Sequence, residues 1–181
     1  MDLNEDVVKL IPPNQDYVTE IQNFLDSHYN HNGISDFREK MERVVAEEWI
    51  RQCNKHETAR QFLGIRESDN KLIGSLLMYT EDTPQTEYWG NVSLNVIESE
   101  RGKGYATQML NGAREYASQI GKKSFKYVCY GDNTASVKTV LACGGKLVKE
   151  DEKWFGGSVH YYEIPNADLE LERNIEPSLE Q

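Results

Sequence analysis

The stretch Glu100–Leu110, ERGKGYATQML, sets two glycines, Gly102 and Gly104, one residue apart, with Arg101 and Lys103 on either side of the first. A pattern of helical period follows at once. The chemistry this combination suits is anion binding. The first turn of an α-helix carries N–H groups without partners inside the helix, and the helix dipole adds partial positive charge there. Two glycines ahead of such a turn let the main chain approach an anion closely and aim several N–H groups at it. Arg101 and Lys103 add charge, and phosphate or diphosphate is the matching ligand. A tight turn with exposed cations accounts for the same residues without any ligand, so this stretch alone leaves both readings open. Other glycine-rich phosphate loops fit poorly. There is no GxxxxGK[ST], and the dinucleotide pattern GxGxxG fails at Thr107.

The remaining reactive residues form weaker constellations. His28 and His31 stand three apart with Asp26 nearby, but no second ligand pair completes a metal site, so none is expected. Ser93 lacks the GxSxG elbow of a serine hydrolase. Cys53, Cys129 and Cys143 show no CxxC spacing. Cys129 and Cys143 fall in apolar patterns and read as buried thiols of a reducing compartment. Tyr88–Trp89 and Tyr161–Tyr162 could line an acceptor pocket, with strand packing as the plainer role. Glu87 is a candidate base, with a solvated turn residue as the favoured reading.

The elements that must position these residues follow from periodicity. Val7–Ile11, closed by Pro12 and Pro13, reads as a strand, and Asn14 as the cap of a helix with Val18, Ile21, Leu25 and His28 on one face. Asn30–Ser35 is a loop. Asp36 and Glu39 resemble a capping box for a second helix carrying Phe37, Met41, Val44, Val45 and Trp49. Gln61–Glu67 and Lys71–Thr80 flank a turn and should pair as a hairpin. Glu81–Gln85 is a further turn, and Tyr88–Ile97 a longer strand running into the glycine stretch. A helix over about Gly104–Ile120 has Ala106, Met109, Leu110, Ala113, Ala117 and Ile120 as its apolar stripe and ends at Gly121. Ser124–Tyr130 is a strand. The next helix shows Val137, Val140 and Leu141 on one face and stops at Gly144–Gly145. Lys146–Lys149 and His160–Ile164 are final strands joined through Trp154–Ser158, and the tail beyond Pro165 is acidic. The expected fold is one mixed α/β (α+β) domain over residues 1–165, with residues 166–181 as tail. Its central sheet has about six or seven strands, flanked by about four helices. The strand–helix–strand unit around the glycines makes a right-handed parallel crossover.

Two motifs in this order carry a family resemblance. Arg101-Gly102-Lys103-Gly104-Tyr105-Ala106 fits the [Q/R]xxGx[G/A] signature of the GNAT superfamily, the acyl-CoA-dependent N-acyltransferases. Asn133, opening the helix after the next strand and followed by Gly144–Gly145, resembles the second signature of that family at the right separation. The resemblance is strongest from about Gly90 to Val148, and the element order extends it over most of the chain. It implies that Arg101, Gly102, Lys103, Gly104, Tyr105 and Ala106 wrap the diphosphate of coenzyme A through backbone amides, with Thr107 adding a hydroxyl. It implies that Leu94, Asn95 and Val96 lie on a splayed strand whose free backbone groups bond the pantetheine arm. Asn133, in the helix that also holds Ser136, then reaches the arm near its thiol end, although a plain N-cap accounts for Asn133 as well. The reaction implied is direct attack of an amine on the acetyl thioester, with a backbone N–H near Leu94 as donor to the oxyanion. Many relatives carry a tyrosine acid seven residues after the motif Asn, where this chain has Val140. Tyr130 and Tyr162 are alternative donors, and a thiol of pKa near 8.5 can also leave unaided. Ser136 stands where relatives often carry Ala.

Composition sets the outer bounds. The chain has 181 residues, 28% of them charged, and a formal net charge of −10. That charge argues against non-specific binding to nucleic acid or an anionic membrane. No apolar run approaches the roughly 20 residues that cross a bilayer, and the N-terminus lacks a signal-peptide core, so a cytoplasmic location is expected. The expected activity is acetyl-CoA-dependent N-acetyltransfer to a small-molecule or peptide amine. The alternatives are a catalytically inactive CoA-binding sensor or scaffold, and an unrelated phosphate-binding module. The acceptor is expected to be selected by Asn14–Cys53 and Trp154–Ile164. A homodimer stays open as an arrangement.

Overall fold

The computed structural model describes residues 6–31, 45–152 and 157–166, with side chains omitted at 28–31. In chain order it contains β1 (Val8–Ile11), α1 (Val18–His31), α2 (Ala46–Lys55), β2 (Ala59–Arg66), β3 (Lys71–Tyr79), α3 (Pro84–Trp89), β4 (Val92–Val96), α4 (Tyr105–Gln119), β5 (Ser124–Tyr130), α5 (Thr134–Ala142), β6 (Lys146–Glu152) and β7 (Ser158–Pro165). The expected second-helix start at Asp36–Glu39, with Phe37, Met41 and Val44, lies outside the described residues, as do most of the Asn30–Ser35 loop and of the Trp154–Ser158 link. Val45 is an extended N-cap to α2 rather than a helical residue.

The strands form two sheets, ordered β1-β2-β3-β4 and β5-β7-β6, with every pair among the described residues antiparallel. The hairpin is β2 with β3, closed by a turn in which Asn70 takes φ 53°, a conformation Asn tolerates. Leu63 and Ile65 of β2 and Leu72 of β3 pack under Ile21 and Leu25 of α1 and Ala46 and Ile50 of α2. The opposite face, with Ile73, Leu76, Met78 and Val92, packs under Met109, Leu110, Ala113 and Ala117 of α4. Gly64 brings α4 close: a Cβ there would lie 2.7 Å from Met109 Sδ. Phe125, Tyr127, Val140, Tyr162 and Ile164 continue the same core across the second sheet.

The expected single sheet is divided, because β4 and β5 touch at one end only. Asn91, 0% exposed, is the clasp. Its N–H donates to Lys126 O at 2.7 Å, and its Oδ1 accepts from Lys126 N–H at 2.8 Å. Its Nδ2 donates to Asp82 Oδ1 at 3.1 Å. Beyond this clasp no ladder joins β4 to β5 among the described residues, so a wedge opens between them.

The strand expected at Tyr88–Ile97 is shorter, and a helix stands before it. Thr83 Oγ1 accepts from Thr86 N–H at 3.2 Å, while Thr83 N–H donates to Thr86 Oγ1 at 2.8 Å. This reciprocal cap, with Pro84 in the first helical turn, starts α3 where a turn was expected. Gly90, at φ 83°, ends it and resets the chain for β4. Two residues of the expected apolar stripes face outward. Ile120, 41% exposed, is the C-cap beyond the last turn of α4. Leu141, 53% exposed, sits about 100° around the helix from the buried Val140.

Candidate functional site

The wedge has one wall with unused main-chain groups. Tyr79 N–H donates to Asn91 O and Ile97 N–H to Ile73 O, each at 2.8 Å. An antiparallel ladder uses alternate residues, so Asn91, Ser93, Asn95 and Ile97 turn their main chain toward β3. Val92, Leu94 and Val96 therefore turn theirs toward the wedge. Of the three strand residues expected at the site, Leu94 and Val96 present backbone groups there, and Asn95 spends its own on β3.

The glycine stretch lies at the wide end of the wedge. Glu98–Glu100 makes a single 3-10 turn, and Arg101 is extended at φ −70°, ψ 159°. Gly102 and Gly104 take φ 75° and 81°, the left-handed region that favours glycine. A Cβ on either would meet nothing within 4 Å, so both glycines face open space. From Gly102 through Thr107, six consecutive N–H groups find no hydrogen-bond partner among the described residues. All six belong to residues expected at the site. The two loop cations are exposed, yet each bonds a neighbouring group of the chain. Arg101 Nε donates to Val96 O at 3.1 Å, and Lys103 Nζ lies 2.9 Å from Glu100 Oε2. What the loop offers an anion is chiefly its amides.

Under the loop is a charge cluster that sequence reasoning missed. Glu100 is 3% exposed and bonds Lys71 Nζ at 2.5 Å, Lys103 Nζ at 2.9 Å and Arg66 Nη1 at 3.1 Å. The side chains that shield this carboxylate are the ones that neutralise it. Its pKa is lowered to about 2, first by the hydrogen bond from Lys71 and then by that from Lys103. Arg66 also donates to Asp69 and, at 3.1 Å, to the Tyr105 hydroxyl. Tyr105 in turn donates to Asp6 Oδ2 at 3.1 Å. Within ERGKG the acid is visible in the sequence, but nothing in a charged, non-periodic run marks it as buried.

The other wall is built by β5 and α5. Asn133 Oδ1 accepts from Ser136 N–H at 3.1 Å, so the residue caps α5, and its amide nitrogen finds no hydrogen-bond partner among the described residues. Ser136 Oγ lies 2.7 Å from the Tyr127 hydroxyl. Burial raises the pKa of Tyr127, and Ser136 opposes this. Burial likewise raises that of Cys129, a half-buried thiol, whereas Cys143 is fully buried with its Sγ 3.5 Å from Thr107 O. Val140, where the resemblance led to an expected tyrosine, is fully buried and brings no hydroxyl. The two alternative donors differ. Tyr162 is 3% exposed with its hydroxyl 3.2 Å from His160 Nδ1, and Tyr130 is 46% exposed.

The lesser candidates fall elsewhere. Glu87 pairs with Lys126, and Tyr88 and Trp89 stack edge-on at 4.6 Å on exposed α3. Ser93 is exposed on β4. The side chains of His28 and His31 lie outside the described residues, and among those described no cluster of three metal-ligating residues occurs. No described helix is long and apolar enough to cross a membrane. A cavity of about 530 Å³ lies between α1 and the β2–β3 turn, lined by Glu20, Asn23, Phe24, Asp69 and Leu72, and it reaches Ile97 just beyond β4.

Residues 8–146 match the family model described as the acetyltransferase (GNAT) domain. A search of curated proteins finds no match. Several solved structures share the fold. The microcin C7 self-immunity acetyltransferase MccE, in complex with acetyl-CoA and AMP, is 19% identical with a TM-score of 0.64, over 88% of this chain and 93% of that one. A mutant of the spermidine N-acetyltransferase SpeG from Vibrio cholerae is 19% identical with a TM-score of 0.66, over 92% and 98%. The ribosomal-protein-S5-alanine acetyltransferase from Vibrio fischeri is 18% identical with a TM-score of 0.65, over 89% and 93%.

Proposed function

Because the chain belongs to the GNAT acetyltransferase family, acyltransferases that draw their acetyl group from acetyl-CoA, we propose that it acetylates an amine by direct transfer within the β4–β5 wedge. The observation that carries this reading is the run of six unpartnered N–H groups from Gly102 to Thr107 at the wide end of that wedge. Their number and the open space over Gly102 and Gly104 fit a diphosphate. The outward main-chain groups of Leu94 and Val96 fit an extended amide-containing arm laid along β4, as an added strand would lie.

When bound, acetyl-CoA supplies a thioester open to attack by an amine. The chain's residues do the rest by position. The loop amides would hold the diphosphate, and the main-chain groups of Leu94 with the N–H of Val96 would hold the arm. The Leu94 N–H faces the wedge and is placed to donate to a carbonyl oxygen there. The amide nitrogen of Asn133 is free to donate from the opposite wall. The acceptor enters from the α1 face, where the cavity beside Ile97 carries the carboxylates of Glu20 and Asp69. SpeG and the ribosomal-protein acetyltransferase, named for spermidine and for a protein alanine, mark the range of small-molecule and peptide amines to try.

Purified protein given acetyl-CoA and a panel of diamines, polyamines and peptides with free N-termini should release free thiol with at least one of them. Measurable CoA binding with no thiol release across the panel would refute catalysis and leave only the binding site.

A further inference from the structure

Glu100 runs against the electrostatics of the site. A carboxylate immediately before an anion-binding loop repels the ligand the loop is built to receive. Its neighbours explain why it is tolerated. The three cations that reach it come from three places: Arg66 at the end of β2, Lys71 at the start of β3, and Lys103 in the loop itself. Arg66 continues to the hydroxyl of Tyr105, the first residue of α4. The 3-10 turn before the loop is thus tied to the β2–β3 hairpin through the Glu100 carboxylate, and the helix after it through Arg66, the guanidinium that this carboxylate holds. Nothing else described braces the loop so well. Gly102 and Gly104 have no neighbours within 4 Å of a Cβ, and Arg101 is held only to the adjoining strand end and turn, by its N–H to Glu98 O and its Nε to Val96 O.

We propose that Glu100 is a positioning residue for the diphosphate: it fixes the six loop amides in their anion-binding arrangement by anchoring Arg66, Lys71 and Lys103. The inference rests on the acetyl-CoA reading above. It makes a prediction of opposite sign to simple electrostatics. Glu100→Gln removes a negative charge beside the ligand, so electrostatics alone predicts tighter CoA binding, whereas loss of positioning predicts weaker binding.

The experiment is calorimetric titration of CoA into wild type, Glu100→Gln and Glu100→Asp, each first checked for folding by circular dichroism. The KM for S-acetylpantetheine, which has no diphosphate, is measured alongside. The expected result is CoA affinity weakened about tenfold in Glu100→Gln, partly recovered in Glu100→Asp, with the KM for S-acetylpantetheine moving less than about twofold. Unchanged or tighter CoA binding in Glu100→Gln overturns the proposal, as does a parallel rise in the S-acetylpantetheine KM. Should Glu100→Gln fail to fold, the uncharged change Tyr105→Phe cuts the same brace at Arg66. It should weaken CoA about threefold, and unchanged affinity overturns the proposal. A wild-type chain that binds no CoA overturns the acetyltransferase reading itself, before any variant is compared.

Discussion

Gly104 concentrates the requirements of the loop in one residue. Its φ of 81° disfavours most side chains, yet no neighbouring atom obstructs a Cβ. Asp is among the residues that enter this region at modest cost, about 1 kcal/mol, so Gly104→Asp should still fold. Its side chain would project a carboxylate into the space an anion needs. We expect CoA affinity to fall at least about tenfold, read by calorimetry, with little change in the melting temperature. Arg101→Ala is the counterpart. The guanidinium is exposed and turned back to Val96 O, so its removal should cost no more than about threefold in affinity. Near-equal losses in the two variants would mean that side-chain charge, not the amide array, holds the ligand.

Among the elements, the wedge depends on Asn91. Its buried side chain accepts from the Lys126 N–H and donates to Asp82, and its backbone bonds Lys126 O. Asn91→Ala removes the side chain and strands the Lys126 N–H, at a cost of about 1–3 kcal/mol, while the exposed Asp82 keeps Lys122. We expect a lower urea midpoint and, because the walls keep only the backbone half of their clasp, weaker CoA binding; unchanged affinity at reduced stability would show that the wedge is held elsewhere. Much of this element scale was legible in the sequence. The β2–β3 hairpin, β5, α4 with its Gly121 terminus and the Asn133 cap all follow from short-range pattern and turn chemistry. Helix α3 was hidden because its cap uses Thr86 where Glu or Gln is usual, and Tyr88–Trp89 reads as strand by propensity. The division of the sheet was hidden for a different reason. Whether β4 and β5 pair along their length is decided by contacts between residues 35 apart, Asn91 and Lys126, and no local period reports them. Glu100 escaped for the same cause, since its partner Lys71 is 29 residues away.

At the scale of the whole molecule, the ion-paired carboxylates set the response to acid. The pKa values of Glu100 and Asp69 are lowered from 4.5 and 3.8 to about 2, Glu100 by Lys71 and Lys103, Asp69 chiefly by Arg66. Asp82 is lowered by Lys122. A group whose folded pKa lies below its unfolded value binds fewer protons when folded, so it favours folding above the unfolded pKa and ceases to do so as pH falls through the folded one. The urea midpoint should therefore stay level from neutral pH to about 5 and decline between about 4.5 and about 2. A midpoint that stays level down to about 2 would mean the Lys71–Glu100–Lys103 cluster does not survive in solution. The outward groups of Leu94 and Val96 have a consequence of another kind. Apart from the Val96 carbonyl, which Arg101 holds, they leave that side of the β4 backbone unclaimed among the described residues, the condition under which a sheet recruits any extended peptide that comes by. An acyl donor lying there is also a stopper, and the chain should be most inclined to capture foreign strands, or its own copies, when that donor runs short.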